Sequence, residues 1–348
     1  MAYVTPWNKA GWQLALDNAE KLDVVVPVWY QVKPGKKYRL MGKQDVNKTW
    51  IEAIHKAGEE AGRRIKVIPR FYFEKWTSTQ WIDLLNGTSR AEELRQLLFD
   101  ECIASDLDGV LLDFASLSFA SYGLDAPEMQ VGNELVQVQA QLYQILAQHL
   151  HLVGKEIIVV TAPLSLFHSS IPYVHPVPIQ YALHRRDIDA VMVMTYDYSG
   201  NSPGPISPSV WAKGCVESLL SLPKQELLDA LHFTDITPPK PKQIFMGMNF
   251  YGTHFKNGQF VGHVRGDDVL KILSVYKTKI DWESNSEEHR FTWREEEKSE
   301  LSNSFADHTM YYPTIHSITK RKEKAESIGC GLAIWELGQG LPYFMDVL

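Results

Sequence analysis

Short apolar runs recur along the chain, and each ends in a polar or aromatic cluster and precedes a stretch with helical periodicity. Eight such runs can be identified: Ala2 to Trp7, Asp23 to Trp29, Ile65 to Phe73, Asp108 to Phe114, Ile157 to Ala162, Ala190 to Tyr196, Gln243 to Asn249, and Gly331 to Trp335. Nearly continuous apolar strands that alternate with helices are typical of buried parallel strands covered by helices. The pattern therefore predicts an α/β fold, a (β/α)8 TIM barrel. A doubly wound open sheet is the alternative, but no glycine-rich phosphate loop follows the first run.

Helical periodicity between these runs is clearest in three segments: Thr49 to Ile54, Ala91 to Ser105, and Asn133 to Val153. Asn47 and Thr77 each stand just ahead of an apolar period. Both residue types are favoured at the N-cap, because their side chains accept a hydrogen bond from the first turn. We therefore predict that helices begin after these two residues.

One interval, at about 252–310, departs from the alternation because it is rich in charged and aromatic residues. Trp282 and Trp293 flank the segment Ser284-Asn285-Ser286, a pattern that predicts an antiparallel hairpin. The sequence thus predicts a single barrel domain over residues 1–348, with an α+β or hairpin insertion after the seventh strand.

The charge balance argues against two classes of partner. A formal net charge of −7 and a pI near 6.0 provide no basic field that would attract nucleic acid or anionic lipid. No apolar run approaches the ~18 residues that a membrane-spanning helix needs. The start of the sequence has no charged segment followed by an apolar stretch and a cleavage site, so we identify no signal peptide in it. We expect no nucleic-acid partner and no membrane span.

The cysteines and histidines predict no metal site. Cys102, Cys215 and Cys330 are widely spaced and odd in number, so they form neither a disulfide framework nor a CxxC motif. The 12 histidines are scattered, and no HExxH motif occurs. Two N-x-[ST] triplets, at Asn47 and Asn86, are glycosylation acceptors only if the chain is secreted. We expect no metal and no cofactor.

In a parallel barrel the working groups lie at the carboxyl ends of the strands. The residues that close the predicted strands are rich in aromatic side chains, whose flat faces suit the apolar faces of sugar rings, and the polar residues among them can bond hydroxyl and amide groups. The candidate ligand-binding residues are Trp7, Trp29, Arg70, Asp113, Tyr196, Asp197, Tyr198, Asn249, Tyr251, Trp335 and Glu336. Any one of these aromatics could instead pack a helix against the sheet, so the collective pattern carries the prediction.

Three motifs resemble those of one known family. The segment Asp108-Gly109-Val110-Leu111-Leu112-Asp113-Phe114-Ala115 resembles DGxDxDxE, the strand-four signature of glycoside hydrolase family 18. The segment Met194-Thr195-Tyr196-Asp197-Tyr198 resembles the strand-six motif of that family, and Ala333-Ile334-Trp335 resembles its strand-eight tryptophan. The resemblance implies a barrel whose groove binds chitooligosaccharide or another glycan.

The strand-four motif departs from the family pattern. Side chains alternate faces along a strand, so Leu111, Asp113 and Ala115 share the face on which the resemblance places the carboxylates. In hydrolysing members the resemblance implies that the last acid protonates the leaving oxygen, while the acetamido group of the substrate attacks the anomeric carbon. Ala115 cannot donate a proton, and loss of a general acid costs about 10² to 10⁴ in rate. We predict that the degenerate motif, which begins at Asp108, holds no catalytic residue and that the protein is a lectin-like pseudoenzyme.

A residual or altered glycosidase is the first alternative. It would use Asp113, Asp197 or Glu336 as its acid. However, Glu336 directly follows Trp335, so in a regular strand the two side chains should point to opposite faces. Glu336 would then anchor the turn at Gly338-Gln339-Gly340 instead.

Asp113 also has a structural interpretation, as a buried carboxylate hydrogen-bonded to Tyr196 or to a backbone amide. A further alternative for the whole protein is an interaction scaffold, in which surface helices or the 252–310 insertion bind a receptor or sorting partner. The resemblance extends to receptor-interacting members of the family and implies a stabilin-type receptor. It also implies a secreted or lysosomal protein.

Overall fold

The computed structural model describes residues 1–114, 130–163, 176–230, 232–233, 235–298 and 303–348. The strands in these ranges are β1 (Ala2–Val4), β2 (Val24–Pro27), β3 (Tyr30–Lys33), β4 (Arg39–Met41), β5 (Lys66–Val67), β6 (Arg70–Tyr72), β7 (Gly109–Asp113), β8 (Glu156–Thr161), β9 (Ala190–Val193), β10 (Ile244–Asn249), β11 (Gly252–Lys256), β12 (Gln259–Val264), β13 (Lys279–Glu283), β14 (Glu288–Lys298), β15 (Asn303–Tyr311) and β16 (Gly331–Trp335). The helices are α1 (Lys9–Asp17), α2 (Lys48–Glu60), α3 (Ser78–Asn86), α4 (Thr88–Ala104), α5 (Gln130–Leu152), α6 (Val177–Arg185), α7 (Ser209–Leu220), α8 (Gln225–Ala230), α9 (Gly266–Val275) and α10 (Ile315–Ile328).

Eleven strands form one sheet in the hydrogen-bonded order β4-β3-β6-β7-β8-β9-β10-β16-β1-β2-β5. Only Val28 and Trp29 separate β2 from β3, and only Ile68 and Pro69 separate β5 from β6, so each pair is one interrupted strand. Because β2 pairs with β5 and β3 pairs with β6, both in parallel, the two ends of the order meet. The sheet closes into a barrel of eight parallel strands, which confirms the predicted (β/α)8 architecture.

Two apolar clusters occupy the two faces of the barrel strands. The cluster inside the barrel includes Tyr3, Val26, Leu111, Val160 and Met192. The cluster between the sheet and the helices includes Val4, Val25, Leu112, Val159 and Val193. Because neighbouring residues of one strand fall in different clusters, each strand is buried on both faces, as expected for parallel strands under a helical layer.

Two predicted helix starts are confirmed. Asn47 Oδ1 accepts a hydrogen bond from Trp50 N at 3.0 Å at the start of α2. Thr77 and Gln80 form a reciprocal capping box at the start of α3, with distances of 3.4 and 2.9 Å. None of the helices in the described ranges combines the length and the hydropathy that crossing a membrane would need.

The insertion after the seventh barrel strand has the α+β form, the larger of the two predicted alternatives. It forms a five-stranded antiparallel sheet in the order β12-β11-β15-β14-β13, and it includes α9, which lies between β12 and β13 in the sequence. The predicted hairpin corresponds to β13 and β14, whose register ends with Glu283 opposite Glu288. The insertion begins beside the carboxyl end of β10, because β11 starts at Gly252, directly after Tyr251.

Candidate functional site

The carboxyl ends of the barrel strands bring polar and aromatic side chains to one mouth of the barrel. We refer to Tyr3, Arg70, Tyr72, Asp113, Tyr196, Asn249 and Trp335 as the mouth cluster. Each of them belongs to the interior face, because each is, or lies an even number of residues from, a member of the interior apolar cluster. Five of these seven residues were predicted from strand ends, and strand alternation explains why they converge.

Arg70 and Asp113 form a buried ion pair within the mouth cluster. Arg70 Nε donates to Asp113 Oδ2 at 2.7 Å, and Arg70 Nη2 donates to the same oxygen. The two side chains are 14% and 4% exposed. They lie on adjacent strands in a register that pairs Tyr72 with Asp113. The sequence named both residues as candidates but gave no sign that they pair with each other.

Aromatic rings surround the same guanidinium. The Arg70 guanidinium carbon lies 4.0 Å from the ring centroid of Tyr72 and 5.1 Å from that of Trp335, distances typical of cation–π contacts. Tyr3 packs against Trp335 with 5.1 Å between the centroids. Burial, assisted by the charge of Asp113, raises the pKa of Tyr3, so its hydroxyl stays protonated at neutral pH. These contacts orient the Trp335 ring, which stays partly exposed at the mouth.

A second carboxylate, that of Asp197, lies beyond the end of the sixth barrel strand. It accepts a hydrogen bond from the hydroxyl of Tyr251, whose ring meets that of Tyr196 edge to face at 6.3 Å between the centroids. Burial raises the pKa of both tyrosines, so both hydroxyls remain protonated at neutral pH. Tyrosine hydroxyls and an adjacent carboxylate are suited to bind the hydroxyl and amide groups of a sugar.

Asn249 and Tyr198 contact neighbouring residues that shape the barrel mouth. Asn249 is 1% exposed, and its Nδ2 donates to the carbonyl oxygen of Tyr251 at 2.8 Å. Tyr198 packs its ring edge to face against Trp211 of α7, at 5.0 Å between the centroids. Asn249 therefore fixes the backbone that carries Tyr251, and Tyr198 attaches its loop to the helical layer.

A cleft of about 440 Å³ adjoins the mouth cluster. Its aromatic and charged lining includes Trp7, Trp29, Arg70 and Tyr72, and its polar lining includes Gln31, Gln44, Asp45 and Glu74. Trp7 is 70% exposed and offers a free ring face. Trp29 is 3% exposed and packs against Trp12 at 6.0 Å, so it contributes to the wall. The structure thus places two of the three predicted tryptophans, Trp7 and Trp29, at the cleft, and of these two only Trp7 is largely exposed.

Glu336 lies outside the mouth cluster. The peptide bond that joins it to Trp335 is cis. Its Oε1 accepts from Asn8 Nδ2 at 2.6 Å, and its Oε2 accepts from Gly338 N at 3.2 Å. Burial raises its pKa, and the residue is 1% exposed. Glu336 thus lies buried in the turn after β16, where it contacts Gly338 as the alternative interpretation of this residue predicted.

Asp108 lies at the opposite end of β7 from the mouth. Its Oδ2 accepts from Val67 N at 2.8 Å and lies 2.9 Å from His55 Nε2. The degenerate motif is therefore divided, with Asp108 at the amino-terminal end of the barrel and Asp113 at the carboxyl end. Strand length explains the separation, because five residues of β7 span the barrel wall.

Ala115 lies outside the described residues, so the motif is traced to Asp113 and its neighbour Phe114. Two members of the mouth cluster, Tyr3 and Tyr72, were not among the predicted site residues. A signal for Tyr72 was present, because it stands two residues after Arg70 and shares its face. The prediction favoured residues that close each run, and these include positions on the outer face.

The described side chains of this site offer hydrogen bonds, aromatic ring faces and carboxylate groups. Within the described ranges, no group of three or more His, Cys, Asp or Glu side chains is arranged to hold a metal ion. The mouth offers the ring of Trp335, the hydroxyls of buried tyrosines, and the two carboxylates of Asp113 and Asp197. Both of those carboxylates accept hydrogen bonds from neighbouring side chains.

Comparison with known proteins gives a family match and a shared fold. A sequence model of the family described as glycosyl hydrolases family 18 matches residues 1–340. The chitinase from Chromobacterium violaceum ATCC 12472 superimposes with a TM-score of 0.72 and 16% identity, over 100% of this chain and 97% of that chain. The spore cortex-lytic enzyme SleL of Bacillus megaterium QM B1551 gives a TM-score of 0.71 and 16% identity, over 99% and 72%. A GH18 chitinase from Cycas revoluta, solved in complex with (GlcNAc)4, superimposes with a TM-score of 0.65 and 12% identity, over 99% of this chain and 96% of that chain.

Proposed function

Because the chain belongs to glycosyl hydrolases family 18, we propose that it is a catalytically inactive, chitinase-like member that binds chitooligosaccharides or related glycans. The ligand would lie across the mouth cluster and the adjoining cleft. The observation that carries the proposal is the buried ion pair of Arg70 with Asp113, the carboxylate that strand four retains at the barrel mouth.

The ion pair supports inactivity. A general acid must hold a proton and deliver it to the leaving oxygen. One oxygen of Asp113 instead accepts hydrogen bonds from two nitrogens of Arg70. Leu111, two residues earlier on the same face, is apolar, and the sequence has Ala115 two residues later. The strand that carries the acids in hydrolysing members therefore lacks a proton donor in the expected place.

The rest of the mouth supports binding. Trp335 offers a partly exposed ring at the barrel mouth, and Trp7 offers an exposed ring at the edge of the cleft. Tyr251 and Asp197 provide a donor and an acceptor close to the mouth. Binding would combine stacking on aromatic rings with a few directional hydrogen bonds, as in other concave carbohydrate sites.

We further propose that, within the family, the chain is a relative of the stabilin-interacting chitinase-like protein, chitinase domain-containing protein 1. The supporting segments are Tyr3 to Asn8, Met194 to Ser199, Asn249 to Gly252 and Ile334 to Gly340. A stabilin-type receptor as partner, and secretion or delivery to the lysosome, follow from this proposal. Surface plasmon resonance against an immobilised stabilin ectodomain tests it, and absence of binding at micromolar protein would contradict the receptor contact.

The experiment that tests the proposed function uses one purified sample. Chitooligosaccharides of three to six sugars are titrated by calorimetry, and the recovered sugar is examined for cleavage by mass spectrometry. Saturable heat with intact sugar is the expected result. Cleavage that disappears in Asp113→Asn or Asp197→Asn would show that a retained carboxylate still catalyses. Absence of binding to every oligosaccharide would contradict the glycan site itself.

A further inference from the structure

The segment 197–207, which we call the site loop, carries the candidate residues Asp197 and Tyr198 at its start. Tyr198 N donates to Ile206 O at 2.9 Å, so these two residues form the neck of the loop. The positions of Asp197 and Tyr198 therefore depend on what holds Ile206 and its neighbour Ser207.

Glu288 of the insertion holds this neck. Its Oε2 accepts from Ile206 N at 2.7 Å, and its Oε1 accepts from Ser207 N at 2.7 Å. Glu288 is the first residue of β14 and is 4% exposed. One carboxylate thus satisfies two consecutive backbone N–H groups that would otherwise be buried without an acceptor.

Arg321 of α10 completes the network. It donates through Nη2 to Glu288, and through Nε and Nη2 to the carbonyl oxygen of Ser207 at 3.2 and 2.9 Å. The hydroxyl of Ser207 donates to Thr195 O at 2.6 Å, which joins the loop to the end of the sixth barrel strand. Arg321 is 1% exposed. Insertion, last helix and site loop therefore meet in one buried polar network.

The chemistry of this network indicates a role beyond packing. Moving both charges out of water is costly, and apolar side chains of similar volume could fill the same space. What apolar side chains cannot supply is directional contact with backbone groups. Glu288 and Arg321 direct such contacts to Ile206 and Ser207, which belong to the site loop.

The insertion also meets the site loop from its other side. Tyr251 directly precedes the insertion, and its hydroxyl donates to the carboxylate of Asp197. The start of the loop is therefore contacted by the root of the insertion, and the end of the loop by Glu288. Two contacts on opposite ends of one segment restrict both its position and its orientation.

We propose that Glu288 and Arg321 are positioning residues for the ligand site, because they hold the site loop so that Asp197 and Tyr198 meet a glycan at the mouth cluster. The insertion is then part of the binding site. The ligand in this inference rests on the proposed function, whereas the anchoring of the loop can be measured without any ligand.

The test compares three variants of the full chain. Glu288→Gln removes the charge and one acceptor, and Arg321→Lys keeps the charge but loses the forked contact with Ser207. Glu101→Gln is the matched control, because Glu101 is also 4% exposed and accepts from the hydroxyls of Tyr30 and Ser105, in another part of the barrel. The rate of hydrogen exchange in peptides covering 196–208 measures how firmly the site loop is held, and calorimetry with chitotetraose measures the Kd of the ligand site.

We expect Glu288→Gln to accelerate exchange in 196–208 and to raise the Kd for chitotetraose roughly 3- to 10-fold, with a smaller effect of Arg321→Lys and none of Glu101→Gln. Unchanged exchange in Glu288→Gln, or equal acceleration in Glu101→Gln, would overturn the anchoring. Accelerated exchange with unchanged Kd would overturn the positioning role. If Glu288→Gln does not fold, Arg321→Lys decides by the same criteria. If the wild-type protein binds no glycan, the proposed function fails while the exchange data still decide the anchoring.

Discussion

Arg70 and Asp113 stand on adjacent strands of the barrel, and the guanidinium of the first directs two of its nitrogens to a single carboxylate oxygen of the second. The pair is enclosed by Tyr3 and by the rings of Tyr72 and Trp335. Each charge is therefore compensated by the other in a place that water reaches poorly. Because each charge depends on the other for compensation, both residues are important for the stability of the mouth.

Removing one partner of this pair should destabilise the fold. In Arg70→Met the carboxylate of Asp113 remains buried without its cation, and breaking a buried pair in this way costs about 3 to 5 kcal/mol. The double variant Arg70→Met with Asp113→Leu should recover part of the loss, because no buried charge is left. Urea denaturation followed by circular dichroism measures both. Lys33→Met is the control, since the pair of Lys33 with Glu74 is about one-third exposed and should shift the midpoint little. Equal shifts in Arg70→Met and Lys33→Met would contradict the burial argument.

Replacing Trp335 should weaken glycan binding more than replacing Trp7. Trp335 lies within the mouth cluster, whereas Trp7 stands at the edge of the cleft. We expect Trp335→Ala to raise the Kd for chitotetraose about tenfold, as loss of a well-placed aromatic contact does. Trp7→Ala should affect hexasaccharide more than trisaccharide. Calorimetry with the trisaccharide and the hexasaccharide measures both effects. Trp282→Ala, which removes a tryptophan of the insertion, is the control for general effects of losing a tryptophan ring. Unchanged binding in a folded Trp335→Ala variant would refute the assignment of the mouth.

The barrel could be predicted because local patterns and global fold agree in this chain. Eight apolar runs are buried on both faces, and their alternation with helices leaves few topologies. The interruption of the second strand was not visible, since Val28 and Trp29 continue the apolar run. The bounds of the insertion, about 252–310, could be predicted from its composition, but its five-stranded order could not, because β14 pairs with both β13 and β15 and the sequence indicated only the first of these pairings.

The site could be predicted in part. Strand ends identified Arg70, Asp113 and Trp335, because position along a parallel strand determines which end of the barrel a residue occupies. Partners could not be predicted in the same way. The pairing of Arg70 with Asp113 depends on register between strands, and that of Glu288 with Arg321 joins residues from distant elements. Side-chain pairs of this kind follow from tertiary packing, which periodicity does not encode.

The cysteines should react slowly in the native protein. Burial raises the pKa of the Cys102 thiol to about 12 and that of Cys330 to about 11, so little thiolate is present at pH 8. Cys102 and Cys215 are buried, Cys330 is partly exposed, and none of the three forms a disulfide within the described residues. Ellman's reagent should modify all three quickly in guanidinium chloride and none quickly in its absence. Rapid modification of the native protein would show that one of these sites opens more readily than its packing indicates.

Two histidine–aspartate pairs support the amino-terminal end of the barrel. His55 Nε2 lies 2.9 Å from Asp108 Oδ2, and His151 Nε2 lies 3.1 Å from Asp189 Oδ2. In each case the same aspartate oxygen accepts a backbone N–H from a barrel strand, at 2.8 Å. The side-chain hydrogen bond to the aspartate raises the pKa of each histidine above its ordinary value of 6.5. Protonation therefore strengthens contacts that hold helices to strand ends.

This arrangement makes part of the stability depend on pH. Because the folded-state pKa of His55 and His151 is raised, their contribution is fully present below about pH 6.5 and is lost as the pH rises through the raised values. Burial lowers the pKa of His254 and His289, so the contribution of these two residues to stability grows as the pH rises. The pH dependence of the free energy of unfolding of the wild-type protein is therefore the sum of the two opposing effects. The contribution of the His55–Asp108 pair is separated from the others by subtracting the free energy of unfolding of His55→Gln from that of the wild-type protein. This difference should be largest near pH 5.5 and should shrink towards pH 8. His232→Gln, at an exposed position, is the control. Urea denaturation at four pH values gives the differences, and a difference for His55→Gln that is constant with pH would mean that the histidine acts by packing alone.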